Sequence, residues 1–502
     1  MFIFKKNKNE NKILYFGFLC SGENKGKVKK LEKFRLESDS IGVLEVPAHA
    51  YYGVQSLRGK NNFYITGYKL GNDFIKALAY VKKASAIANL EAGMLDKNVV
   101  EAIVKASEEV IEGKFMDQFI TDVIQGGAGT SMNMNMNEVI ANRAGELLGG
   151  ELGKYDKVHP NDHVNYGQST NDVIPTAGKL ALQMMSDELL KTLERLNETL
   201  LNKSIEFDNV IKMGRTHLQD AVPIRLGQEF KAYAQPIARD IKRIRIALED
   251  LKTVNMGATA VGTGINADTK YVEDVVRILS EVTGVNFVQA DDLVDGTRNL
   301  DSFVWLSSAL KVTAVNLSKM ANDLRLMASG PKTGLAEINL PQQQPGSSIM
   351  PGKVNPVIPE VMNQVCFQIF GNDQTVTKAA EAGQLELNVF EPVLFFNLFQ
   401  SIEILKNGVN TLIDNCLVGI TANKERCQQL VDMSVGTITA LNPHIGYKNA
   451  ADIAKTSIKT GVSVVDLILE RKLLTKEELD IILNPFEMTK PGIPGKSLLK
   501  NR

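Results

Sequence analysis

The chain is 502 residues long, 44% apolar and 6% aromatic, with a formal net charge of −1. That length exceeds what one compact core organises, so two to four domains are expected, and a near-zero charge without a long basic stripe argues against nucleic acid or an anionic membrane as the main partner. Four scattered cysteines (Cys20, Cys366, Cys416 and Cys427) form no CxxC pair and have no histidine cluster beside them, which argues for reduced thiols in a cytoplasm rather than a disulfide framework or a zinc site.

The first residues, MFIFKKNKNENK, are basic, and ILYFGFLC (13–20) is a short apolar run with the outline of a secretory signal. No small-x-small cleavage site follows and Lys-rich GENKGKVKK comes next, so residues 1–34 are read as a disordered extension or a misassigned start. No run reaches the roughly 18 apolar residues of a membrane span. Residues 73–112 predict two helices joined at Leu95-Asp96-Lys97. A polar segment rich in Gly and Asn (125–137) follows, then a helix to about Leu148, then a loop-like stretch over 151–176 containing Pro160, Gly167 and Pro175.

Long helices dominate the centre. Leu182, Met185, Leu189, Leu193, Leu196 and Leu200 recur at spacings of three and four, as do Leu226, Phe230, Tyr233, Ile237, Ile241, Ile244, Leu248 and Leu251. Pro236 should kink the second run. In a third run, Phe303, Leu310, Leu317 and Leu324 form one heptad set, with Leu306, Thr313, Met320 and Met327 as the other. This run (302–328) would be about 40 Å long and stops at Ser329-Gly330-Pro331. Further helix is predicted over 357–420, interrupted near Gly383 and Pro392, and the last 80 or so residues read as shorter helices. The pattern predicts an all-α chain in four parts: the extension (1–34), a mostly helical N-terminal domain (35–170), a central long-helix bundle (171–425) and a small C-terminal helical domain (426–502). Helices this long expose more apolar surface than one bundle covers, so association between bundles is expected.

Four polar segments interrupt the helices: GGAGTSMNMN (126–135), GQSTND (167–172), GRTHLQDAVP (214–223) and PGSSIMPGKVNP (345–356). The first lacks the Gly-Lys-Ser/Thr ending of a phosphate-binding loop and reads equally as a Gly-rich helix start. GTGINA (262–267) matches GxGxxA, but a long helix precedes it rather than a strand of a βαβ unit, which argues against a dinucleotide site. His217 stands alone, and QSTND suits simple N-capping. PGSSIMPGKVNP carries more. Its glycines allow a loop to close over a ligand, Lys353 offers a fixed charge for a carboxylate, and its serines lie among backbone N–H groups that could hold an oxyanion.

GSSIMPGKVNP resembles the signature of the fumarase/aspartase superfamily. VPAHAYYGVQ (46–55), GGAGTSMNMNMNEVIANR, NDHVNYGQSTND, KMGRTHLQDAVPIRLGQE, GATAVGTGINA, NDLRLMASGP, EAGQLELNVFEPV and LNPHIGY resemble the same family in the same order, from about Leu36 to Gly492. The Ser-Thr-Asn triplet at 169–171, the Ala-Val-Pro after Gln219-Asp220, and the AYYGVQ and NPFEMTKPGI stretches resemble its aspartase branch more than fumarases. The resemblance implies an all-α three-domain fold whose central bundles associate into a homotetramer, with active sites shared between three subunits. It also implies reversible conversion of L-aspartate to fumarate and ammonia, with fumarate hydration to L-malate as the alternative and a non-catalytic structural relative as a further one. No metal or organic cofactor is implied.

By the same resemblance, Thr130, Ser169, Thr170 and Ser348 surround the substrate's side-chain carboxylate. Lys353, Asn355 and Thr216 take its α-carboxylate, and Asn171 and His217 lie near its amino group. Ser347 is the implied general base and Glu360 a carboxylate that orients the histidine. The residue types suit an elimination through an aci-carboxylate, whose extra charge needs many neutral donors.

Overall fold

The apolar rows of the central sequence become five long helices packed side by side. The computed structural model describes residues 33–499. The expectation for 1–34 therefore lies almost wholly outside the described residues.

Two strands, β1 (Phe34–Asp39) and β2 (Gly42–Pro47), form an antiparallel hairpin ahead of α1 (Val54–Asn62). Then come α2 (Asn72–Glu91), α3 (Lys97–Ile111), α4 (Thr130–Leu147) and a single π turn at Pro160–Val164. The bundle begins with α5 (Thr170–Glu206), followed by the hairpin β3 (Ile211–Thr216) and β4 (Gln219–Arg225), and by α6 (Leu226–Asp250). After β5 (Thr253–Val254), α7 (Thr269–Thr283), β6 (Val288–Gln289) and α8 (Leu293–Arg298) come α9 (Asp301–Met327), β7 (Ile338–Asn339), α10 (Val357–Glu381) and α11 (Glu391–Asn415). β8 (Thr421–Ala422) pairs with β7, and seven shorter helices end the chain: α12 (Lys424–Met433), α13 (Ile438–Ile445), α14 (Tyr447–Thr460), α15 (Val464–Glu470), α16 (Lys476–Ile482), α17 (Pro485–Met488) and α18 (Lys496–Leu499).

Both heptad sets of α9 are buried from end to end, as are most of the apolar rows of α5 and α6. Side-chain bonds between helices give the bundle its polarity. Gln183 reaches Leu248 O at 2.6 Å and Asn197 reaches Ala234 O at 2.7 Å, so α5 and α6 are antiparallel. Tyr233 meets Asp323 and Asn316 meets Asp240, making α6 and α9 antiparallel; Ser307–Asp373 and Asn363–Ser318 do the same for α9 and α10. In contrast, Gly178 lies against the Phe395 ring and Arg195 bonds to Asn410 at 3.1 Å, so α5 and α11 run parallel. One end of the bundle therefore gathers the N-termini of α5, α9 and α11. The other gathers the C-terminus of α5, the β3–β4 hairpin, the C-terminus of α9 and the N-terminus of α10.

The α2–α11 core is continuous, whereas Leu441, Ile453, Ile468, Leu479 and Ile482 build a second core among the C-terminal helices. The boundary expected at 170/171 falls in the first turn of α5, and that at 425/426 falls within α12.

Three local expectations are corrected. The helix expected after the 125–137 segment begins inside it: α4 starts at Thr130 and buries Met132 to Asn137 on every side. A helix enclosed all round shows no apolar stripe, and its asparagines bond instead: Asn135 takes Ile120 N and gives to Gln118 O. The 151–176 stretch is helical from Thr170, with Pro175 inside α5. Proline supplies no N–H to the Asn171 carbonyl four residues back, and Asn255 Nδ2 fills that place at 3.1 Å. Finally, β5 and β6 pair in parallel around α7, so a strand does precede GTGINA in a minimal β-α-β crossover. Gly262 (φ +93°) backs directly onto Val294 there, where a Cβ would lie 2.3 Å from Val294 Cα.

Candidate active site

At one end of the bundle, two helix N-termini converge. Thr130 is the first residue of α4, and Ser169 is the N-cap of α5, with Thr170 and Asn171 in its first turn. Ser169 closes a capping box: its hydroxyl accepts Asn171 N–H at 3.3 Å, and Asp172 Oδ1 accepts Ser169 N–H at 2.9 Å. The N-capping read from the sequence is therefore real, and it leaves the Ser169 hydroxyl hydrogen free to donate. Gly129 lets the two helices approach, since its Cβ position lies 3.1 Å from the Ile174 side chain. Asn133, one turn along α4, donates to Thr170 Oγ1 at 3.3 Å. Asn171 Nδ2 is held by Ala260 O at 2.7 Å, which leaves Oδ1 as an acceptor. Thr130 is exposed and gives its hydroxyl hydrogen to Gly127 O at 2.7 Å, so it must turn to serve a ligand. Two helix N-termini and a set of hydroxyls suit an anion.

The remaining candidates sit at the other end. Thr216 ends β3, and His217 and Leu218 form the two-residue tip of the β3–β4 hairpin. Both tip residues have positive φ, +52° and +62°, a turn geometry that favours Asn-Gly. Leu218 is 70% exposed. Holding two bulky residues there costs on the order of 1–3 kcal/mol each, the kind of strain found at functional sites.

Ser347–Asn355 lie on the α9–α10 connection, after β7. The loop has a closed neck: Gly346 N donates to Lys353 O at 2.7 Å, and Asn355 Nδ2 donates to Gly346 O at 2.9 Å. Beyond the neck Ser348, Pro351, Gly352 and Lys353 are exposed, and Ile349 is 83% exposed. Ser347 Oγ accepts the backbone N–H groups of Ile349 and Met350 at 3.2 and 3.0 Å. Among the described residues the Lys353 ammonium has no hydrogen-bond or ion-pair partner. Glu360 is exposed in the first turn of α10 and forms no ion pair with His217 of its own chain.

One chain thus brings Thr130 together with Ser169–Asn171, and carries Thr216, His217 and Ser347–Asn355 at the opposite end. The 37 residues of α5 alone separate the two groups by about 55 Å.

A protein-family model described as "Lyase" matches residues 42–371, and one described as "Fumarase C C-terminus" matches 438–490. The chain is 58% identical to the aspartate ammonia-lyase of Bacillus subtilis, over 93% of this chain and 99% of that one. The chain belongs to the fumarase/aspartase superfamily. It is 50% identical to the aspartate ammonia-lyase of Escherichia coli K12, over 92% of this chain and 97% of the other. Solved structures that share the superfamily fold include two relatives. One is a fumarate lyase:delta crystallin from Brucella melitensis bound to cobalt (TM-score 0.90, 48% identity, 91% and 100% of the chains). The other is a recombinant class II fumarase from Schistosoma mansoni (TM-score 0.88, 37% identity, 91% and 100%).

Two buried polar groups beneath the candidate residues were not singled out in the sequence. Below Thr170, Lys82 donates to Asn165 and Gln168, both at 2.9 Å. Burial draws Lys82 down to about 7, partly offset by nearby Asp172; burial pushes Asp172 itself up to about 6, outweighing the backbone N–H groups of Ser169, Thr259 and Gly257 that favour its charged form. At the far end, Glu337 is fully buried between Arg215 (2.7 Å) and Lys212 (3.0 Å), tying β3 to the strand that leads into the Ser347 loop. The available signal was Lys82 itself, a charge on the helix face that carries Ile75, Leu78, Ala79 and Ala86.

Proposed function

We propose that the chain is an aspartate ammonia-lyase, converting L-aspartate reversibly to fumarate and ammonia, and that it acts as a homotetramer whose sites each draw on three subunits. Identity of 50–58% to aspartate ammonia-lyases along nearly the whole chain carries the activity. The separation of the site residues to opposite ends of α5 supports the shared site. Bundle helices also leave large apolar side chains open, among them Ile246, Trp305, Val315 and Phe367, as a helix-to-helix interface requires. Three buried thiols (Cys366, Cys416, Cys427), each pushed up to about 12 by burial, are inert and support a cytoplasmic setting.

In this reading, Ser347 takes the proton from the carbon beside the side-chain carboxylate. An ordinary serine is too weak a base, but the N–H groups of Ile349 and Met350 already converge on its oxygen, and Lys353 adds positive charge from the same loop. The aci-carboxylate that forms is held by Thr130, Ser169, Thr170 and Ser348, with the positive ends of α4 and α5 behind them. Lys353, Asn355 and Thr216 take the α-carboxylate; Asn355 keeps one amide hydrogen for it beyond the one given to Gly346. Asn171 Oδ1 and His217 face the ammonium, and Glu360 of a neighbouring subunit orients His217. Ammonia leaves from an already protonated amine, so no strong general acid is needed.

The test supplies purified protein with fumarate and either ammonium or water alone. L-aspartate from ammonium, with little malate, is the expected product. Predominant malate would make the chain a fumarate hydratase, and the absence of both products a non-catalytic relative.

A further inference from the structure

A buried polar chain behind the N-terminus of α5 has no part in the chemistry described above. Lys82, on α2 and fully buried, donates to Asn165 Oδ1 and Gln168 Oε1. Backbone carbonyls fix which way both amides face: Asn165 Nδ2 donates to Gln168 O at 3.2 Å, and Gln168 Nε2 to Val164 O at 3.0 Å. Turning either amide over would set oxygen against oxygen. Both contacts therefore need an N–H from the lysine, which it supplies charged or neutral.

With its orientation fixed, Asn165 Oδ1 accepts from Asn133 Nδ2 at 3.1 Å. That same nitrogen gives its other hydrogen to Thr170 Oγ1, at 3.3 Å. A hydroxyl that accepts from behind has a single hydrogen left to give. Among the described residues the Thr170 hydroxyl donates to no protein acceptor, so its hydrogen is left for a ligand.

We infer that Lys82 is a positioning residue for the elimination: through Asn165 and Asn133 it holds the Thr170 hydroxyl as a donor to the substrate's side-chain carboxylate. The inference rests on the proposed placement of Thr170 at that carboxylate. Loss of Lys82 leaves Gln168 Oε1 without its donor and leaves Asn165 Oδ1 held by the Asn133 and Asn137 amides alone. Asn165 and Asn133 can then shift together, and the N–H that Asn133 sets against Thr170 loses its aim. A lysine that only filled space between α2 and α5 would have no link to the charge that develops on the substrate.

The experiment is a double-mutant cycle on the tetramer, using Lys82→Met, Thr170→Val and both together. Each single change is expected to lower kcat/KM about 100-fold, the lower end of the loss for one donor to a developing oxyanion. In the Lys82→Met background, Thr170→Val should lose less than about threefold more. Ionised 3-nitropropionate, whose nitronate carries the extra charge of an aci-carboxylate, should lose affinity in step with kcat/KM in Lys82→Met. Succinate, an ordinary dicarboxylate, should change by under about threefold. Losses that simply multiply in the double variant, or equal weakening of both inhibitors, would overturn the positioning role while leaving Thr170 in the site. An undiminished Thr170→Val enzyme would overturn both the role and the placement. If Lys82→Met yields no folded tetramer, the same cycle with Asn133→Ala decides, because that change keeps the lysine and cuts only the last link.

Discussion

Glu138 shows how a single carboxylate holds the N-terminal layer. It is buried on α4 and receives Gly53 N at 2.8 Å, Gln55 N at 2.8 Å, Ser56 N at 3.1 Å and the Ser56 hydroxyl, all at the start of α1. Glu37 takes Val54 N beside it, and only glycine fits between them: a Cβ on Gly53 would lie 2.6 Å from Glu37 Oε2 and 2.8 Å from Glu138 Cδ. Burial outweighs the four donors and pushes Glu138 up to about 7. The folded chain then keeps a proton that the unfolded chain releases near 4.5, so this group's contribution is full below 4.5 and is lost as pH rises through about 7. Glu138→Gln removes that titration but turns an amide donor toward one of the N–H groups, at a cost of roughly 1–3 kcal/mol. The variant should therefore melt lower at pH 5, with a flatter fall in melting temperature from pH 5 to 8 than the unchanged protein. Parallel curves would mean that Glu138 does not titrate in this window.

Among the elements, the β3–β4 hairpin depends on one ion cluster. Glu337 anchors Arg215, next to Thr216, while Lys212 also reaches Glu229 at 2.9 Å. Glu337→Gln keeps the shape and leaves buried Lys212 and half-buried Arg215 short of a counter-charge, which should cost about 3–5 kcal/mol. Urea denaturation at one fixed protomer concentration would measure it; a change within about 0.5 kcal/mol, the level of an ordinary surface substitution, would show that the cluster is not the clamp. The sequence disclosed such elements unevenly. Long helices were legible because Leu226 to Leu251 and Phe303 to Met327 bury one repeating face. The start of α4 was not, because Met and Asn alternate in a helix enclosed on all sides and polar partners replace the stripe. The hairpin was hidden because His217 and Leu218 carry none of the usual turn chemistry. Candidate site residues were legible as motifs. The supports beneath them, Lys82 and Glu337, act through partners about 80 and 120 positions away, and spacing alone does not reveal that.

For the whole molecule, the polarity of the bundle sets the problem that assembly has to solve. Thr130 and Ser169–Asn171 lie at one end of each chain, and the Ser347 loop and the His217 hairpin lie at the other. Antiparallel packing of bundles would bring one chain's Thr130 and Ser169–Asn171 beside other chains' opposite ends. Whether His217 and Ser347 of one chain serve the same site or different sites is decided by mixing two inactive variants, Ser347→Ala and His217→Ala, unfolded and refolded together. If a single chain supplied both groups to a site, every site in a mixed tetramer would carry one lesion and activity would stay absent. If different chains supply them, about a quarter of the sites in a random equal mixture carry neither lesion, since each of two independent choices is even. Recovery of roughly that fraction of activity is the expected result. Mixed tetramers seen by mass analysis with no recovered activity would refute the three-chain site, and a monomer active at high dilution would refute any shared site.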